Sequence, residues 1–168
     1  MATHRLPILN SHTVPDTTGT AFFEPYTIKA TNDVWGHLVL CLNDTAADHG
    51  IFGKFAIPQN YVDTANLVVV WTSTATVGDV EFDFMYRAVG GNDSESLDQA
   101  GNQEDVNSND TAPSAAHERM EITIALTDGN FAAGDTVEFF FSRDGTDGGD
   151  TIAAAVLVFG LFFEFNDA

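Results

Sequence analysis

The chain has 168 residues, with 25 Asp and Glu against 6 Lys and Arg and a formal net charge of −19. Binding a phosphate backbone takes clustered Lys and Arg, which this chain lacks, and an anionic bilayer would repel it, so the charge argues against nucleic-acid and membrane partners. A hydrophobic content of 44% with 14 Phe supplies a core, excludes wholesale disorder and, at this length, suits one domain or one domain plus an arm.

Residues 1–32 read as an extended N-terminal arm. Pro7, Pro15 and Pro25 oppose a helix and favour extended or edge-strand chain. The apolar pieces Leu6-Pro7-Ile8-Leu9 and Phe22-Phe23 imply that something orders this arm. Its start has no basic cluster followed by an apolar run, so no secretory signal is expected.

From Val34 onward the pattern is strand after strand, over residues 34–42, 51–57, 67–73, 79–89, 119–127, 136–142 and 151–165. Val80, Phe82, Phe84 and Tyr86 alternate with Glu81, Asp83, Met85 and Arg87. Met120, Ile122, Ile124 and Leu126 alternate in the same way, as do Val137, Phe139 and Phe141. A period of two means sheets with one core face and one wet face. Turn-forming residues separate the runs, and long connections alternate with short ones. The expected fold is therefore all-β: an antiparallel two-sheet β-sandwich, jelly-roll-like, over residues 33–168.

Two segments depart from that pattern. Residues 90–117 hold six acids and no Lys or Arg, and read as a long acidic loop. The last strand is apolar on both sides, with Leu157, Phe159, Leu161 and Phe163 among its residues. A strand dry on both faces needs a cover, either another subunit or the arm folded back. The first option makes Leu157, Phe159, Leu161 and Phe163 an oligomer interface.

Few residues suggest chemistry. Cys41 is the single cysteine and sits between Leu40 and Leu42, as a buried thiol would. His37 lies four residues from it on a strand, too far for one metal, and the other histidines have no ligand spacing. No nucleophile elbow or phosphate loop is present. Glu81 and Asp83 share a strand face and form a candidate glycosidase pair, but no sugar-stacking cleft is evident beside them. The glycine-rich turn Asp144-Gly-Thr-Asp-Gly-Gly-Asp150 places Asp144, Asp147 and Asp150 three apart. Such a turn can converge oxygens on Ca²⁺, or its acids can cap their own backbone. No other cofactor is expected. Arg143 and Arg87 each follow a strong strand pattern and are candidate ion-pair partners.

The stretch Gly78-Asp-Val-Glu-Phe-Asp-Phe-Met-Tyr-Arg-Ala-Val89, then Ser94-Glu-Ser-Leu-Asp98, resembles jelly-roll proteins of tailed-phage virions. So does Phe141-Ser-Arg-Asp-Gly-Thr-Asp-Gly-Gly-Asp-Thr151 with the apolar strand that follows it. The likeness runs loosely over residues 50–165. It implies a non-enzymatic virion protein, often trimeric, that decorates and cements a phage head from outside. Such a protein is made in the host cytoplasm and has the major capsid protein as its partner. Capsid contacts would then come from the arm, through Arg5, Leu6, Ile8, Leu9, Phe22, Phe23 and Lys29. The alternative is a tail-associated module for receptor or carbohydrate binding, which would set Trp35, Trp71 or Tyr86 on an exposed platform.

Overall fold

The period-two alternation folds into two antiparallel sheets packed face to face. A computed structural model describes residues 1–9, 14–15, 22–27, 36–44, 48–90, 96–98 and 103–167. The strands are β1 (Thr3–Pro7), β2 (Val14–Pro15), β3 (Phe22–Thr27), β4 (Gly36–Leu42), β5 (Asp48–Ala56), β6 (Tyr61–Ser73), β7 (Asp79–Val89), β8 (Gln103–Thr111), β9 (Met120–Ala125), β10 (Thr136–Asp144) and β11 (Val156–Asp167). Sheet I runs β3-β4-β11-β6-β9, with β1 also paired to β11. Sheet II runs β2-β5-β10-β7-β8. The expected all-β, two-sheet, jelly-roll sandwich is thus the observed fold.

The core lies between the sheets and is built from the predicted inward residues. Phe82, Phe84, Phe139, Phe141 and Phe163 are buried there with Trp71 and Tyr86. Their rings meet in offset and edge-to-face pairs, as ring quadrupoles favour. Phe82 and Phe141 stack at 5.6 Å, and Tyr86 and Phe131 at 4.9 Å.

The N-terminal stretch is extended, but it closes its own sandwich. β1 pairs antiparallel with β11, from Thr3 opposite Asn166 to Pro7 opposite Phe162. Arg5 donates to Glu164 and Glu121, each at 2.8 Å. Ile8 is fully buried in the core, and Leu6, Leu9 and Phe23 pack against it. Phe22 stands opposite Cys41 in the β3–β4 pairing, and Lys29 lies outside the described residues. Arg5, Leu6, Ile8, Leu9 and Phe23, expected to reach a capsid, are thus engaged by their own chain. Apolar residues at an edge find the nearest unpaired strand, and β11 of the same chain offers one.

The dry last strand is explained the same way. Leu161 and Phe163 face the core with no exposure, so they offer nothing to another subunit. Leu157 is buried on the opposite side against Val39 and Cys41, and Phe159 packs on that small cluster. Burial, with the Glu24 carboxylate second, pushes the Cys41 thiol up to about 11, which keeps it protonated and inert.

The acidic segment holds a strand that the sequence did not announce. β8 is the edge of sheet II and pairs with β7 along its length, from Asp79 opposite Thr111 to Arg87 opposite Gln103. Its alternation is polar on both sides. Inward-pointing Glu104 accepts from the Tyr86 hydroxyl at 2.5 Å and from the Thr127 hydroxyl at 2.8 Å. Asp110 accepts from the Trp71 indole N–H at 2.8 Å. Inward carboxylates on an edge strand block pairing with another chain, and here each one also satisfies a buried aromatic donor.

Candidate functional site

The turn proposed for Ca²⁺ is organised by arginine. Arg143 at the end of β10 is fully buried. Its Nε donates to Asp150 Oδ2 at 2.8 Å and its Nη2 to Asp150 Oδ1 at 2.6 Å, a bidentate pair. Its remaining donors reach the carbonyls of Ile152 at 2.5 Å and Ala154 at 2.8 Å. Asp144 accepts from the backbone N–H groups of Thr146 and Asp147 and from the Thr146 hydroxyl, and Asp147 accepts from Gly149 N–H. The three carboxylates therefore serve the turn and the connection into β11. Among the described residues no group of three His, Cys, Asp or Glu is arranged to hold a metal ion.

The outer face of sheet II carries a different arrangement. Register sets Phe52 of β5 opposite Phe140 of β10, Phe140 opposite Met85 of β7, and Met85 opposite Asp105 of β8. All four side chains point away from the core, so they form one row across the strands. Phe52 is 49% exposed and Met85 52%. The Phe52 and Phe140 rings lie 4.7 Å apart at 38°. Gly50 makes this packing possible: a Cβ there would come within 2.7 Å of the Phe140 ring and 2.4 Å of the Phe141 carbonyl oxygen.

A polar row borders the rings. Gln103 stands opposite Arg87, Arg87 opposite Glu138, and Glu138 opposite Lys54. Arg87 donates to Glu138 Oε2 from Nε at 2.9 Å and from Nη2 at 2.7 Å. Gln103, Arg87 and Glu138 line a depression of about 220 Å³ together with Phe52, Phe140 and Met85. A second depression of about 260 Å³, lined by Met85, Gln103, Glu104 and Asp105, shares Met85 and Gln103 with it. Together they form a shallow trough over β10, β7 and β8, with Phe52 of β5 at one end.

On the other side of the rings lie acids. Burial pushes the Asp83 carboxyl up to about 6, helped by the charges of Asp144, Asp105, Asp48 and Glu81. Glu81 is also raised, first by burial and then by Asp147, Asp144 and Asp150. The candidate glycosidase pair thus sits on this face among further carboxylates that push in the same direction.

An exposed platform built on Trp71 or Tyr86 is not what the described residues form. Trp71 and Tyr86 are buried and hydrogen-bonded to β8, and Trp35 lies outside the described residues. The outward rings come instead from exposed Phe52, in the strand run Ile51–Ile57, and partly exposed Phe140, in the run of three Phe at 139–141. The signal available was the phase of β10: with Phe139 and Phe141 facing inward, Phe140 must face out.

No family model matches the chain, and no curated protein matches it. Solved structures do resemble it, and those described next do so at low identity. A family 35 carbohydrate-binding module from Paenibacillus barcinonensis is 13% identical, with a TM-score of 0.52 over 97% of this chain and 98% of that one. The xylan-binding module CBM15 is 10% identical, with a TM-score of 0.51 over 99% of this chain and 97% of that one. A family 35 module from Clostridium thermocellum is 11% identical, with a TM-score of 0.50 over the full length of both. At such identities the likeness shows a shared jelly-roll fold. Of the virion resemblance it supports the jelly-roll class, without a link to phage proteins.

Proposed function

We propose that this chain is a non-catalytic carbohydrate-binding module that holds a glycan across the outer face of sheet II. The observation that carries this reading is the outward row of exposed Phe52, partly exposed Phe140 and exposed Met85, set crosswise to the strands in an open trough. The axial C–H bonds of a pyranose carry partial positive charge and match the negative face of an aromatic ring. Two adjacent rings give a sugar chain a surface to lie along. Gln103, Arg87, Glu138 and Lys54 stand beside that surface to meet hydroxyl groups, the few placed polar contacts that such sites use for orientation. The excess of carboxylates on this face disfavours uronates and favours an uncharged glycan.

Solved jelly-roll modules of the same fold, including one that binds xylan, add support at the level of architecture. Fold alone does not fix function, so the argument rests on the trough. Capsid attachment would need the N-terminal residues that β11 and the core already occupy.

The test is titration calorimetry with uncharged β-linked hexasaccharides of xylose, glucose and mannose. At least one binds, with a Kd between micromolar and millimolar. Phe52→Ala with Phe140→Ala weakens it at least tenfold while the Tm stays within a few degrees. A panel with no binder, or binding indifferent to both rings, overturns the reading. Release of reducing ends during the titration would replace a binding module by an enzyme.

A further inference from the structure

The outer face of sheet I carries a second aromatic floor of opposite character. Taken across the sheet, His37 of β4, Phe159 of β11 and Val70 of β6 line one depression, with His117 and Arg119 from the segment leading into β9. Its volume is about 260 Å³. The chain has 25 acids against 6 Lys and Arg and 5 His. Nevertheless, three basic side chains and no acid stand among the described residues that line this depression.

The geometry holds those bases in place. His37 meets Phe159 edge to face, with centroids 5.1 Å apart at 87°. His117 has a φ of 69°, in the left-handed region that a residue with a Cβ seldom adopts. Several bonds keep it there: its N–H donates to Ser73 O at 3.0 Å, Glu118 N–H donates to Ala115 O at 3.1 Å, and the Thr72 hydroxyl donates to Glu118 O at 2.6 Å. An unfavourable backbone conformation kept by the surrounding structure is a recurring mark of binding sites.

The neighbouring acids are already engaged. Glu118 accepts from Ser114 N–H, the Ser114 hydroxyl and Ala115 N–H. Glu121 accepts from Arg119 Nη2 at 2.6 Å and from Arg5 Nη2 at 2.8 Å. Arg5, which also donates to Glu164, still holds Glu121 by a hydrogen bond when Arg119 turns to a ligand. Arg119 is 63% exposed, and the rest of its planar fork has no hydrogen bond among the described residues.

We infer that this depression is a second binding site, for an acidic sugar whose anionic group, a carboxylate or a sulfate ester, is received by Arg119, His37 and His117 while its ring rests on Phe159. A guanidinium fork matches either group with two parallel N–H donors, and imidazoles on both sides add donors that a neutral sugar does not need. The site shares no residue with the trough on sheet II.

The experiment titrates the whole chain with three probes: a galacturonate trisaccharide, a sulfated galactose trisaccharide and sodium sulfate. Binding is read by calorimetry and by NMR shifts of the histidine ring protons. At least one of the two acidic sugars binds more tightly than sulfate and shifts the His37 and His117 resonances. Arg119→Gln and His37→Gln each weaken it at least fivefold, and their Tm values stay near the parent's. Phe52→Ala with Phe140→Ala leaves it unchanged, which separates this site from the proposed one. The inference is overturned if neither acidic sugar binds, if sulfate binds as tightly as both, or if binding survives Arg119→Gln and His37→Gln. It is equally overturned if the sheet II variant abolishes the binding.

Discussion

On the outer face of sheet II the ring of Phe140 lies over Gly50 beside Phe52; on the outer face of sheet I the ring of Phe162 lies over Gly160, on the strand that also carries Phe159. Each face thus uses a glycine to let a phenylalanine lie close to its sheet. What surrounds the rings differs. Sheet II puts Asp83, Asp105, Asp48 and Glu81 around its aromatic row, with Arg87 and Lys54 in partial balance among the described residues. Sheet I puts His37, His117 and Arg119 around its floor and locks the nearest acids into hydrogen bonds. A net charge of −19 therefore says little about any one face. Potential at a surface is set by the charges within about a Debye length, roughly 8 Å at physiological salt, and not by the total.

Four substitutions probe this contrast, starting with the one that should erase it. Arg143→Met removes the partner of a buried Asp150 carboxylate and leaves the Ile152 and Ala154 carbonyls without donors. Breaking a buried pair from one side costs about 3–5 kcal/mol. Thermal melting should show a Tm lower by roughly 10 °C or more. Both faces should lose their ligands together, because β10 and β11 carry one wall of each.

Gly50→Ala should break one face and spare the other. The new Cβ meets the Phe141 carbonyl oxygen at 2.4 Å and the Phe140 ring at 2.7 Å, so the ring must move off the sheet. Overpacking of this kind costs about 1–3 kcal/mol. Binding of the uncharged hexasaccharide should fall severalfold. Gly160→Ala should instead displace Phe162, whose ring lies 2.7 Å from the added Cβ, and leave that binding intact. Equal losses in both variants would mean that the two faces are not independent.

The smallest effect is in pH. The Asp83 carboxyl titrates near 6 in the folded chain against an ordinary 3.8. Between those values the folded state holds more proton than the unfolded one, so stability falls as pH rises through this window, and this one group's share of the fall is complete above about 6. Asp83→Asn should remove that part of the slope and raise the Tm at pH 7.5 by about 2 °C, a modest figure because the group is partly screened by solvent. At pH 3.5 the two proteins should melt together. A persistent gap there would assign the effect to packing rather than charge.

Much of the architecture was legible in the residues. Val80 to Tyr86 and Val137 to Phe141 alternate cleanly, and both became central strands of sheet II with the expected faces inward. β8 was not legible, because its inward residues are Glu104, Val106, Ser108 and Asp110. Only Val106 signals a core, and the carboxylates gain their reason from Tyr86 and Trp71 on other strands. The turn Asp144–Asp150 was ambiguous for the same cause. Three acids with glycines between them suit a cation loop or a self-capped turn; in the fold Arg143 takes Asp150, while Asp144 and Asp147 cap the turn's own backbone. The proposed glycan face was half visible: alternation put Phe140 outside, but nothing in the sequence set Phe52 and Met85 at its sides.

By itself the sequence determined an all-β sandwich with an aromatic core and an acidic surface, since period-two patterning and composition are local properties of the chain. Only the tertiary structure decided what the strands do together. It returned the N-terminal stretch to β11, turned a dry last strand into core, and assembled one open face from rings and acids and the other from bases. Those outcomes depend on strand order and register between residues far apart, and sequence spacing along one strand carries no record of either.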